Sequence, residues 1–148
     1  MHSDLILNEF KNLCKGVTLL RASADRFSPY DPEKPYTPDE LEYYDSLSFR
    51  FEKSVELMLS FFKGLEIYTN SRSSDTLRDR LLWMQKIEII NNIEFWMEVR
   101  LLRNKISHVY LPEQMKDIYD EMINKSQAIF DTIGRIEKYL ENAGINLA

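Results

Sequence analysis

The side chains able to do chemistry gather in Arg103-Asn104-Lys105-Ile106-Ser107-His108-Val109-Tyr110, ahead of Leu111 and Pro112. A guanidinium, an imidazole and a phenol within these eight residues make a set suited to proton transfer and anion binding. The chain has two histidines. His2 stands beside the terminus, where disorder is expected, so His108 is the candidate for acid–base work near neutral pH. The chemistry open to the cluster is phosphodiester cleavage without a metal. A neutral imidazole takes the proton from an RNA 2′-hydroxyl, and a guanidinium neutralises the charge developing on phosphorus. RNA carries its own nucleophile, so neither Ser nor Cys is required. General acid–base help of this kind contributes about 10²- to 10⁴-fold, enough for a slow toxin but not for a fast digestive nuclease.

Positioning these groups falls to the helix before Pro112. Proline disfavours helical geometry at Leu111 and has no N–H of its own, so the helix is expected to end there. On a regular helix Arg100, Asn104 and His108 share one face, and Arg103 and Ser107 the neighbouring one. Arg103 and His108 then stand about 140° apart. Their convergence requires the long Arg side chain, distortion near Pro112, or a second copy of the chain. The plainer reading of the same residues is that Arg103 caps or pairs at a helix C-terminus, with His108 a hydrogen-bonded terminal residue favoured by the helix dipole.

The rest of the chain reads as helices. From about Asp4 to Ala22, Ile6, Phe10, Leu13, Val17 and Leu20 fall on one apolar face, and Cys14 beside them reads as a small buried hydrophobe. The stretch 23–37 holds three of the five prolines, so it reads as an ordered or semi-ordered loop. Thr37-Pro38-Asp39-Glu40 is a capping box with proline at the first helical position. The helix it starts carries the stripe Phe51, Val55, Met58, Phe62 and Leu65 toward Tyr68, which reads as core. Glu52 and Glu56, one turn apart on it, read as solvated or ion-paired, since no His completes a ligand set there. Asn70 to Ser74 breaks the pattern. A helix from about Asp75 to Lys86 buries Leu77, Leu81 and Met84, and Asn91-Asn92 suggests a turn. From Ile93 the positions Trp96, Val99 or Arg100, and Arg103 lead into the motif. A last helix, about Pro112 to Asn142, carries Met115, Ile118, Met122, Ile129, Ile133, Ile136 and Leu140 and is stopped by Gly144.

Four or five helices imply an all-α, up-and-down bundle in one domain, 1–148. At 148 residues, 44% hydrophobic and 29% charged, the chain is long enough for its own core. The net charge of −5 excludes a globally basic nucleic-acid surface, so RNA contact must be local and no DNA partner is expected. A lone cysteine and the absence of a signal-like opening lead to the expectation of a cytoplasmic protein. No stretch is apolar for long enough to cross a membrane. There is no internal repeat, low-complexity tract, glycine-rich phosphate loop or zinc-type Cys/His spacing.

The segment Arg103, four residues, His108, one residue, Tyr110, with Asn104 directly after the arginine, resembles the Arg-x4-His-x-Tyr signature of HEPN domains. These domains pair with small MNT nucleotidyltransferases in two-gene modules. Upstream, Arg50-Phe51-Glu52 followed by Glu56-Leu57 resembles the Arg-Phe-Glu…Glu-Leu helix of the nucleotidyltransferase substrate-binding branch of this superfamily. Asp75 to Trp96 is similar to that branch's short helix and Trp-bearing approach. The likeness covers roughly 47–112. The chain differs in having Leu59 and Ser60 where the family often has Trp and Lys, and in the Pro-rich stretch, which looks like an insertion. The resemblance implies a HEPN-like homodimer whose motif helices face each other across a two-fold axis, forming one composite cleft. It implies that Arg103 and His108 are the catalytic pair of a metal-independent ribonuclease toxin acting on RNA such as tRNA, with Asn104 as a polar helper and no cofactor. Tyr110 is the implied site at which the MNT antitoxin attaches AMP, spending ATP and magnesium in its own active site. The other reading is a non-catalytic subunit that presents substrate to a nucleotidyltransferase.

Overall fold

The computed structural model describes residues 2–147; Met1, beside His2, lies outside the described residues. The chain forms five α-helices: α1 (His2–Asp25), α2 (Pro38–Asn70), α3 (Leu77–Lys86), α4 (Ile93–Lys105) and α5 (Pro112–Asn142). A short 3-10 turn, Ile106–His108, follows α4, and the described residues include no strand.

Each boundary has a local cause. The Thr37 hydroxyl accepts from the Glu40 amide at 3.2 Å, and the Glu40 carboxylate accepts from the Thr37 amide at 3.1 Å, with Pro38 opening α2. Thr76 caps α3 through the Asp79 amide, and Asn92 caps α4 through the Phe95 amide, both at 3.1 Å. Past α5, Gly144 adopts φ +81° and the Ile145 amide returns to the Leu140 carbonyl at 2.9 Å, the glycine stop expected from the sequence.

Side-chain registers fix the directions of the helices. Ser54 Oγ donates to the Gly16 carbonyl and Arg50 Nη1 to the Leu19 carbonyl, so α1 and α2 are antiparallel. Phe62 stacks edge-on against Trp96, and Arg103 reaches Glu56, so α2 and α4 are antiparallel as well. The Arg21 guanidinium covers the Phe130 ring, while Cys14 faces Glu137, which runs α5 against α1. The four long helices therefore go up, down, up, down, with α3 inserted between α2 and α4.

The core is the meeting of their apolar stripes. Ile6, Phe10, Leu13, Val17 and Leu20 of α1 are buried, as are Phe51, Val55, Met58, Phe62 and Leu65 of α2. Burying each such side chain is worth about 1.5–3 kcal/mol. Leu13 is fully enclosed, so truncating it to Ala costs about 2–5 kcal/mol. Cys14 is a half-buried free thiol against the same cluster.

The Pro-rich segment is an ordered loop, one of the two forms read from the sequence, whereas the end of the motif helix departs from that reading. The Pro-rich segment is held by aromatic packing: Tyr30 is buried, stacked on Tyr36 at 4.8 Å and edge-on to Tyr44 and Tyr119. The Tyr44 hydroxyl also donates to the Ser28 carbonyl at 2.6 Å, so this loop is a pinned flap over the α2–α5 seam. The motif helix, moreover, does not run to Pro112. It ends at Lys105, tightens into the 3-10 turn and becomes extended at Val109 and Leu111. Pro112 opens α5 as its first helical residue, where the sequence reading also began the last helix.

Candidate functional site

The motif occupies the end of α4 and the turn after it, facing α2. The Ile106 amide still bonds to the Leu102 carbonyl, closing the last α-helical turn. Ile106 and Val109 are half-buried against the core and line a small cleft with Met115, Ile118 and Tyr119. That anchoring leaves Ser107 and His108 on the outside.

Arg103, Asn104, Ser107 and His108 line one concavity of about 360 Å³, closed on the α2 side by Glu52. The three residues expected to do chemistry are thus brought together on a single chain. The ideal-helix angle between Arg103 and His108 does not apply, because His108 lies in the 3-10 turn rather than on α4.

Arg103 is held at two points. Its Nη2 donates to Glu56 Oε1, and its Nη1 donates to Asn104 Oδ1 at 3.1 Å. The Arg103 and Glu56 side chains remain 35% and 48% exposed, so this pair aims the guanidinium more than it stabilises the fold. Glu56 thereby takes the ion-paired role read from the sequence. What spacing alone did not reveal is its partner, 47 residues away in the chain. A charged guanidinium fork with two donors engaged keeps others for an incoming anion.

Tyr110 is outside the concavity and 80% exposed; its hydroxyl makes only a long contact, 3.4 Å, to the Ser107 carbonyl. The segments bearing the site also expose Phe49, Leu101 and Leu111, at 66%, 66% and 59%. Arg100 and Lys105 are exposed on α4, adding local positive charge to an acidic chain.

Among the described residues, no group of three or more His, Cys, Asp or Glu side chains is arranged to hold a metal ion, and no helix is long and apolar enough to cross a membrane. Elsewhere, Glu66 is fully buried and joined to Ser74 and Arg80, a network that the sequence pattern did not signal. It ties the 71–76 link and α3 to α2. No protein-family model, curated protein or solved structure matches the chain.

Proposed function

We propose that the chain is a HEPN-type endoribonuclease toxin that cuts RNA from the concavity at the end of α4. The observation carrying this reading is that Arg103, Asn104 and His108 line one solvent-open concavity. His108 removes the 2′-hydroxyl proton as that oxygen attacks phosphorus. The imidazolium so formed returns a proton to the departing 5′ oxygen, giving a 2′,3′-cyclic phosphate and a 5′-hydroxyl end. Arg103 binds the non-bridging oxygens as their charge grows, and Asn104 steadies the guanidinium.

A second copy of the chain fits the exposed Phe49, Leu101 and Leu111, because apolar side chains of this kind mark association surfaces. Two facing motif segments then form a composite cleft. Tyr110, exposed beside His108, is open to adenylylation by an MNT-type nucleotidyltransferase that uses ATP and magnesium in its own site. The added bulk and negative charge would block phosphate from the cleft.

A second reading is favoured by one observation: Glu56 occupies Arg103 and Glu52 lines the same concavity as His108, an acidic setting for a polyanion. On that reading the chain is the non-catalytic substrate-binding subunit of a nucleotidyltransferase. Cleavage of total tRNA and a synthetic RNA in excess EDTA, by mass-verified unmodified protein beside His108→Ala, separates the two. Cleavage lost in the variant supports the ribonuclease. RNA left intact by the unmodified dimer removes that reading in favour of the subunit.

A further inference from the structure

Glu52 is the acidic member of the concavity at the end of α4, whose other lining residues are Arg103, Asn104, Ser107 and His108. Its place on α2 is fixed from behind. Phe51, Ser54 and Val55 are 0% exposed, and Ser54 Oγ donates to the Gly16 carbonyl. The two carboxylates on this part of α2 differ in their surroundings: Glu56 is matched by the Arg103 guanidinium, while half-buried Glu52 presents its charge to the concavity. The enclosed volume, about 360 Å³, lies at the small end of ligand clefts and suits one nucleotide rather than a duplex.

An ionised carboxylate repels phosphate; it accepts hydrogen bonds and donates none. RNA lying in this concavity must therefore set its phosphate toward Arg103 and His108 and turn a donor toward Glu52. The 2′-hydroxyl is taken by His108 in the ribonuclease reading, on which this step rests, so the donors that remain are the N–H groups of the base. Two carboxylate oxygens side by side are matched by two adjacent donors. Guanine alone offers them, N1–H and the exocyclic N2–H, on its Watson–Crick edge. Adenine and cytosine place one amino group beside a ring-nitrogen lone pair, and uracil places one N–H between two carbonyls, so each sets an acceptor against the carboxylate. Asn104 completes the pattern. With its Oδ1 accepting from Arg103 Nη1 at 3.1 Å, its NH2 group is left to donate to guanine O6.

We infer that Glu52 is the specificity-determining residue of this site and selects guanine at the nucleotide that carries the attacking 2′-hydroxyl. The base is read on its Watson–Crick edge, so the substrate is a single strand or a loop. This also gives an acidic side chain a role in a cleft for a polyanion.

The test uses single-stranded RNAs alike except at one nucleotide, which is guanosine, inosine, adenosine, cytidine or uridine in a strand otherwise free of guanosine. Each is incubated with unmodified protein in excess EDTA and its cleavage mapped. Cutting after guanosine should exceed that after adenosine, cytidine or uridine by at least about 10-fold. Inosine keeps N1–H and O6 but lacks the amino group, and should be cut about 5-fold or more slower than guanosine. Glu52→Gln, its folding checked by melting temperature, should bring both ratios to within about 3-fold of unity. Such ratios, taken on one protein, are not moved by a merely structural loss. The inference is overturned, with the ribonuclease reading intact, if RNA is cut without preference for guanosine or if inosine is cut as fast. It is overturned equally if Glu52→Gln slows every strand alike and keeps the ratios. Failure of the unmodified protein to cut any strand removes the ribonuclease reading and the inference with it.

Discussion

Replacing Glu66 with alanine should weaken the fold by about 3 kcal/mol, the lower end of the range for breaking a buried ion pair. Glu66 is 0% exposed and accepts from the Ser74 amide at 2.8 Å, from the Ser74 hydroxyl and from Arg80 Nε at 3.2 Å. Truncation leaves those donors facing a cavity. The lower end applies because the Arg80 side chain is 15% exposed and keeps bonds from Nη2 to the Ser73 hydroxyl and the Ser74 carbonyl, so water and neighbours recover part of the loss. Urea unfolding followed by far-UV circular dichroism near neutral pH measures the difference, and a fall in Tm of about 6–12 °C should accompany it. Acid supplies an internal control. Burial pushes the Glu66 carboxyl up, but Ser74 and Arg80 outweigh this and hold it below 4.5. A depressed folded value means stability that is present above the unfolded value and lost as pH falls through the folded one. The gap between parent and variant should therefore narrow on acidification below about pH 4. A loss under about 1 kcal/mol at neutral pH, or a gap that widens in acid, would refute the network as described.

Further expectations concern other parts of the molecule. Glu88, in the turn that follows α3, adopts φ +65°, so Glu88→Gly should raise stability by about 0.5–1 kcal/mol in the same assay. Burial, aided by Asp45, pushes the Tyr119 phenol up to about 12. Its stabilising contribution is complete below the unfolded value near 10 and lost as pH rises toward 12, so Tyr119→Phe should flatten the alkaline branch of a stability–pH curve. Arg103→Lys keeps the charge but loses the planar fork held by Glu56 and Asn104, and should lower RNA cleavage by about 10²-fold or more without changing Tm. Leu101→Glu should shift sedimentation toward monomer if the exposed motif face is where two copies meet.

The helices were legible by their apolar stripes, and α2 and α5 also by a terminal signal. Thr37-Pro38 with Glu40 fixed the start of α2, and Gly144 the stop after α5, to the residue. The α4 end was misread for a physical reason. Proline disfavours helix at the residue before it, but that constraint does not say where an upstream helix stops, and here the chain leaves α geometry after Lys105. Tyr30 was invisible as core because a loop has no periodicity; its burial comes from three aromatic neighbours, Tyr36, Tyr44 and Tyr119, brought together by the fold. The motif residues were legible by type and local spacing. Glu56 as the partner of Arg103 and Glu66 as a buried anchor were not, since each depends on contacts between elements that no local pattern encodes.

The most direct test of the central claim uses a synthetic RNA cut at one position and the same strand with a single 2′-deoxy substitution at that nucleotide, both incubated with unmodified protein in excess EDTA. The account predicts a 2′,3′-cyclic phosphate end from the first strand and no cleavage at that position in the second. Equal cutting of both strands would contradict it, because the nucleophile would then not be the 2′-hydroxyl that His108 is proposed to deprotonate.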